Sequence, residues 1–162
     1  TGSVQLDLTA SALINIGLSI AHSRDDYSDS ILGLTESQET SYNVDASVIL
    51  AAVTTIHGFA ARNIIKSEQA GSQVSSTPDW FASNDDTINT FGIGAKHQLI
   101  EDKLDVGADY VVTRSTGKVS VNTGTPAAGF PDLNSDLDSL KLYADYRLQD
   151  NMTVHAAYWY EH

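Results

Sequence analysis

The residues best suited to metal binding or proton transfer are five histidines: His22, His57, His97, His155 and His162. No two stand at an i, i+2 or i, i+4 spacing that would turn both toward one metal. The chain has no cysteine. That excludes disulfides, thiolate metal sites, Fe–S clusters and a c-type haem attached to this chain, which needs Cys-x-x-Cys-His. Serine, histidine and aspartate are all present, but no Gly-x-Ser-x-Gly elbow occurs, and no strand–turn–helix context would hold one. The chain therefore reads as a non-enzyme, with no catalytic residue, no metal ligand and no cofactor-binding residue of its own. The histidines read as side chains of a wall or an interface.

Charge is the next resource for chemistry. Lys and Arg total 9 and Asp and Glu 21, a formal net charge of −12. Phosphate backbones need clustered cations, so no nucleic-acid partner is expected. The acids gather in three stretches: Asp25, Asp26, Asp29, Glu36 and Glu39; then Glu68, Asp79, Asp85 and Asp86; then Asp132 and Asp136. Calcium favours clustered oxygens in a flexible loop. The Asp-x-Asp-x-Asp-Gly pattern is missing, so these read first as solvated acidic loops, with weak Ca²⁺ or Mg²⁺ bridging as the lesser reading.

The elements that must carry these side chains show a period of two. Val4, Leu6, Leu8 and Ala10 alternate with polar residues, as do Ile14, Ile16, Leu18 and Ile20. The same holds for Leu104 to Val112, Leu140 to Leu148 and Val154 to Tyr160. Successive side chains of a strand point to opposite faces, so each run has an apolar face and a mostly polar one. No long run repeats apolar residues at helical spacing. We read about eight strands, each near the 9–11 residues that a tilted strand needs to cross a bilayer.

Connections alternate in length. Short ones fall near Ser11-Ala12, Ala52-Val53, Glu101–Lys103 and Gln149–Asn151. Long polar ones run from about Asp25 to Glu39, Ser67 to Asp86 and Ser120 to Ser135. Short turns on one side and long loops on the other are the pattern of an outer-membrane barrel. The spacing of the short turns also approaches that of propeller blades, but no blade motif occurs. The polar face carries small or uncharged residues (Ser3, Thr9, Asn15, Gly17, Ser19, Gly107), whereas a solvated sheet face usually carries more Lys and Glu. Tyr27, Tyr42, Tyr110, Tyr158, Trp159 and Tyr160 lie near strand ends, as in the aromatic girdles of barrels. The expected fold is all-β: an antiparallel transmembrane β-barrel, with about eight strands here as part of a larger one. Arg62, Lys96, Lys141 and Arg147 lie in strands. A charge on the lipid face costs up to about 2–4 kcal/mol at the midplane, so these are expected inside unless near an interface. The lumen-facing candidates for partner contact are Asp109, Lys141, Asp145, Arg147 and His155.

Several stretches carry a resemblance: Leu32–Ser37, Ser67–Gln73, Asp79-Trp80, Lys103–Asp105, Asp136–Tyr143 and the closing Tyr158–Glu161. In order along the chain, they resemble the C-terminal part of the MtrB/PioB family of outer-membrane proteins. The resemblance implies a bacterial outer-membrane barrel of about 26 strands, porin-like, that houses a periplasmic-side multihaem c-type cytochrome. It further implies a second, cell-surface multihaem cytochrome, and electron transfer across the outer membrane in support of extracellular electron transfer and metal reduction. Haem would then be carried by the partner, and the barrel's other partner would be outer-membrane lipid. The Cys-x-x-Cys pair near the family's N-terminus has no counterpart here. Residues 1–162 are thus expected to be a single segment of such a barrel, and a fragment of it. The alternative is a complete small eight-stranded barrel acting as a porin-like or adhesin-like surface protein, with a soluble β-sandwich as a distant third. Closure separates the first two: in a small barrel the first and last strands must pair.

Overall fold

A computed structural model describes residues 1–27, 29–51, 53–74, 77–122 and 130–162. Eight strands form one antiparallel sheet in chain order. They are β1 (Gly2–Ser11), β2 (Ile14–Asp26), β3 (Gly33–Leu50), β4 (Thr54–Gly71), β5 (Trp80–Ile100), β6 (Leu104–Val121), β7 (Leu133–Gln149) and β8 (Met152–Glu161). The expected strand count holds. The expected lengths hold for β1 and β8, at 10 residues each, but β3 to β7 run from 17 to 21.

The difference has a physical cause. The stretches read as long loops are largely strand, and the connections shrink to residues 27–32, 72–79 and 122–132. Above the apolar zone both faces are polar, so the side-chain period vanishes while the backbone ladder continues. Arg24 pairs with Glu36 at 2.8 Å, Lys66 with Asp85 at 3.4 Å and Arg114 with Asp136 at 3.3 Å. The Glu36 carboxyl is held below the ordinary carboxylate range, first by the Gln38 amide and then by Arg24. Exposed pairs of this kind contribute little, so the backbone hydrogen bonds carry this rim. The short turns lie at the opposite end. There Ala51 and Asp102 adopt left-handed φ values of 53° and 54°. Each of three turns is tied to the next hairpin: the carbonyls of Leu13, Val53 and Lys103 accept from the amides of Ile49, Gln98 and Arg147. Residue Ala52 of the second short turn, and residues 28, 75, 76 and 123–129 of the long ones, lie outside the described residues.

Register fixes the faces. One row runs Ile14, Val48, Ile56, Ala95, Ala108, Leu142, Tyr158, and the next runs Leu8, Ile16, Ala46, Gly58, Ile93, Tyr110, Leu140, Tyr160. Leu104, Val106, Ala144 and Tyr146 share this apolar face. None of the described residues covers it: the sheet they form has no second layer, and Ala70 alone among the described hydrophobic residues is buried. The accessible surface is 11053 Å². A folded soluble chain of 17.4 kDa would expose roughly 7,900 Å². A sandwich core is therefore absent, and the apolar face must be covered from outside.

The first and last strands do not meet; β1 pairs only with β2 and β8 only with β7. One aromatic assignment changes. Trp159 lies on the polar face, where its Nε1 donates to Ser139 Oγ at 2.7 Å, while Tyr27 directly follows the end of β2. Tyr42, Tyr110, Tyr158 and Tyr160 stay on the apolar face.

Substituting Leu142→Arg should place a guanidinium in the middle of the apolar zone, at a cost of about 2–4 kcal/mol. The barrel should be lost from the heat-modifiable outer-membrane fraction, while Ser19→Arg, on the opposite face, should insert normally.

Candidate functional site

The opposite face gathers the polar side chains. Its rows on β6, β7 and β8 step from Asp109–Lys141–Trp159 to Gly107–Tyr143–Ala157 and then to Asp105–Asp145–His155. Arg147 and Thr153 follow at the short-turn rim. All five candidates read from the sequence therefore sit on one strip of one face. Arg62, expected inside unless near an interface, stands on the apolar face, in register with Tyr42 and Asn89.

Two charged clusters occupy the strip. In the lower one Asp105 and Asp145 stand directly opposite each other, a destabilising arrangement for like charges. Each acid is compensated. Lys96 Nζ lies 2.8 Å from Asp105, and His155 Nδ1 lies 2.6 Å from Asp145. Arg147 donates to the Asp102 carbonyl at 3.2 Å. Asp105, Asp145 and Arg147 border a hollow of about 210 Å³ beside the short turns. In the upper cluster Lys141 Nζ lies 5.3 Å from the Tyr143 ring centroid and 5.9 Å from that of Trp159, within cation–π range. Its register partner Asp109 turns away, toward His57 Nε2 at 3.2 Å. Asp109 Oδ1 is shielded from solvent and makes no aligned hydrogen bond.

His57, Lys96 and Asp105 were not among the candidates for partner contact, although Lys96 was expected inside and His57 was read as a wall or interface side chain. His57 belongs to β4 and Asp109 to β6, with β5 between them. They meet because Gly94 stands between them in register, and a Cβ there would strike both side chains. The same device recurs across this face. Phe59 lies over Gly92, Tyr143 over Gly107, Asp45 over Gly17 and Asp86 over Gly117. Each glycine opens a slot into which a neighbour's side chain folds flat. Large groups are thus laid along the wall instead of standing up from it, as when an aromatic covers a strand glycine. The available sequence signal was the glycine at an even step from a large residue on the paired strand, which only the register reveals. Among the described residues, no three His, Asp or Glu side chains cluster as a metal site.

Residues 3–162 match a family model described as "Putative outer membrane beta-barrel porin, MtrB/PioB". The chain belongs to the MtrB/PioB family. It is also similar to Outer membrane protein MtrB of Shewanella baltica (strain OS185), with 32% identity over 146 residues, 90% of this chain. The chain spans about a fifth of the length of that curated relative, 21%. An MtrB/PioB protein is an outer-membrane β-barrel and not an enzyme, and in such barrels lipid covers an outward apolar band.

Gly107→Val should drive the Tyr143 ring off the wall. Overpacking of this kind costs about 1–3 kcal/mol. The temperature at which the barrel loses its folded gel mobility should fall, and adding Tyr143→Ala should restore most of it.

Proposed function

We propose that these eight strands form an arc of a larger porin-like barrel that sheathes a multihaem c-type cytochrome and so supports electron transfer across the outer membrane. The observation that carries this reading is the lumen wall itself. Its polar residues are small or laid flat over glycines, and the Lys96–Asp105 and His155–Asp145 pairs lie low beside the short turns. Such a wall suits a close-fitting protein surface better than a narrow selective pore. The open edges β1 and β8 favour an arc over the alternative, a complete small porin-like or adhesin-like barrel, in which those strands would pair.

In this reading the barrel contributes electrostatics and geometry. It keeps the partner's haems out of lipid across a hydrocarbon core about 30 Å thick. Haem supplies the redox chemistry and belongs wholly to the partner, since this chain has no attachment motif. Asp109, Lys141, Asp145, Arg147 and His155 would position the periplasmic-side cytochrome by charge pairing near the short turns. Long connections of outer-membrane barrels face the cell exterior. The extended rim of β3 to β7 would accordingly face outward, toward a second multihaem cytochrome at the cell surface. The direction of electron flow follows from the partners' potentials and not from this chain.

The test is assembly. Lys141→Ala with Arg147→Ala should leave the barrel inserted, lower its co-purification with the multihaem cytochrome severalfold, and leave the haem potentials of whatever complex forms nearly unchanged. Unchanged assembly would count against these contacts, and a large shift in potential would count against a purely steric and dielectric role.

A further inference from the structure

The other cations at and above the upper edge of the apolar zone on the lipid side are matched by acids. Arg24 pairs with Glu36, Lys66 with Asp85, Arg114 with Asp136 and Asp138, and Lys118 with Asp132. Arg62 is not. It stands at the upper edge of the apolar zone with Tyr42 and Asn89 beside it in register, and among the described residues it has no acidic partner. Below it opens a groove of about 520 Å³ on the membrane side, whose apolar walls are Leu18, Ile20, Tyr42, Val44, Ala60 and Phe91. Ala60 sits between Val44 and Phe91, and Gly58 sits between Ala46 and Ile93 one step further down. The floor of the groove is thus low along β4, and Phe91 and Ile93 rise beside it on β5.

We propose that Arg62 and this groove bind a phosphate-bearing lipid of the outer leaflet, namely the phosphorylated headgroup of lipopolysaccharide, with one acyl chain lying along β4. A guanidinium presents two parallel donors that match phosphate oxygens, and the Asn89 amide adds a neutral donor at the same height. Charge singles out this spot. The chain carries −12 overall, so its surface repels anionic headgroups except where a cation is left unmatched. Charged side chains on the lipid face are tolerated near the interface, which is where Arg62 lies. Outer-leaflet placement rests on the orientation proposed above. Protease added to intact cells reads that orientation separately, by cleavage within 72–79.

The experiment uses the intact barrel in detergent, titrated with lipopolysaccharide, with the same lipid after phosphate removal, and with inorganic phosphate. Binding is read as the rise in the temperature at which the folded gel mobility is lost. The wild type should bind the phosphorylated lipid roughly tenfold more tightly than Arg62→Gln does, the equivalent of about 1.4 kcal/mol. Dephosphorylated lipid should bind the wild type as weakly as the phosphorylated lipid binds Arg62→Gln, and inorganic phosphate alone should give no rise. Arg62→Lys, which keeps the charge, should retain much of the effect and guards against a folding defect. Equal binding by the wild type and Arg62→Gln, or by the two lipid forms, would overturn the site. A rise with inorganic phosphate alone would overturn the lipid as its occupant. These readouts need no cytochrome, so their failure is distinct from failure of the sheath.

Discussion

Everything in this structure depends on one constraint: a backbone that crosses hydrocarbon must satisfy its own hydrogen bonds. The ladder from β1 to β8 does this within the sheet, without help from a core. Ala70 is the one described hydrophobic side chain that is buried, and the other large apolar groups of the outer face stay uncovered by protein. In a water-soluble chain that would be an unstable arrangement. In a bilayer it divides the labour: lipid takes the apolar face, the ladder takes the amides, and the inner face is left free to be polar. The same constraint makes the edges of β1 and β8 informative, because an open edge in hydrocarbon must find another strand.

The inner face then solves a geometric problem. Side chains on it converge, and a wall that stays smooth cannot let them stand upright. Glycines at 17, 92, 94, 107 and 117 create slots in which Asp45, Phe59, His57 with Asp109, Tyr143 and Asp86 lie flat. Gly94 in addition lets β4 and β6 exchange a charged contact across β5. Packing and electrostatics are therefore handled by the same residues. Facing carboxylates, Asp105 and Asp145, persist because Lys96 and His155 hold them from either side.

Much of this was legible in the sequence. Alternation through Leu104 to Val112 and Leu140 to Leu148 gave the lipid face, and parity alone put Lys141, Asp145 and Arg147 together on the other. Above the membrane both faces are wet, so Glu36 to Glu39 and Ser67 to Gly71 lost their alternation and read as loop, although the ladder continues through them. The His57–Asp109 contact was illegible for another reason. It depends on register over two strand pairs and on the missing side chain of Gly94, and neither is a property of local sequence. Arg62 shows where an energetic rule needs a height in the membrane that local sequence does not give. The cost of a charge in lipid argued for the inner face except near an interface, and the register with Tyr42 and Asn89 puts Arg62 on the outer one. Its height at the interface removes most of that cost.

The central claim is that this barrel guides electron transfer without carrying electrons. The most direct measurement is transfer across liposomes loaded with a reductant and given an impermeant external acceptor. The barrel alone should give no transfer and no haem absorbance, and the barrel assembled with its multihaem cytochrome should give acceptor reduction. Reduction by the barrel alone, or none by the assembled complex, would contradict the sheath.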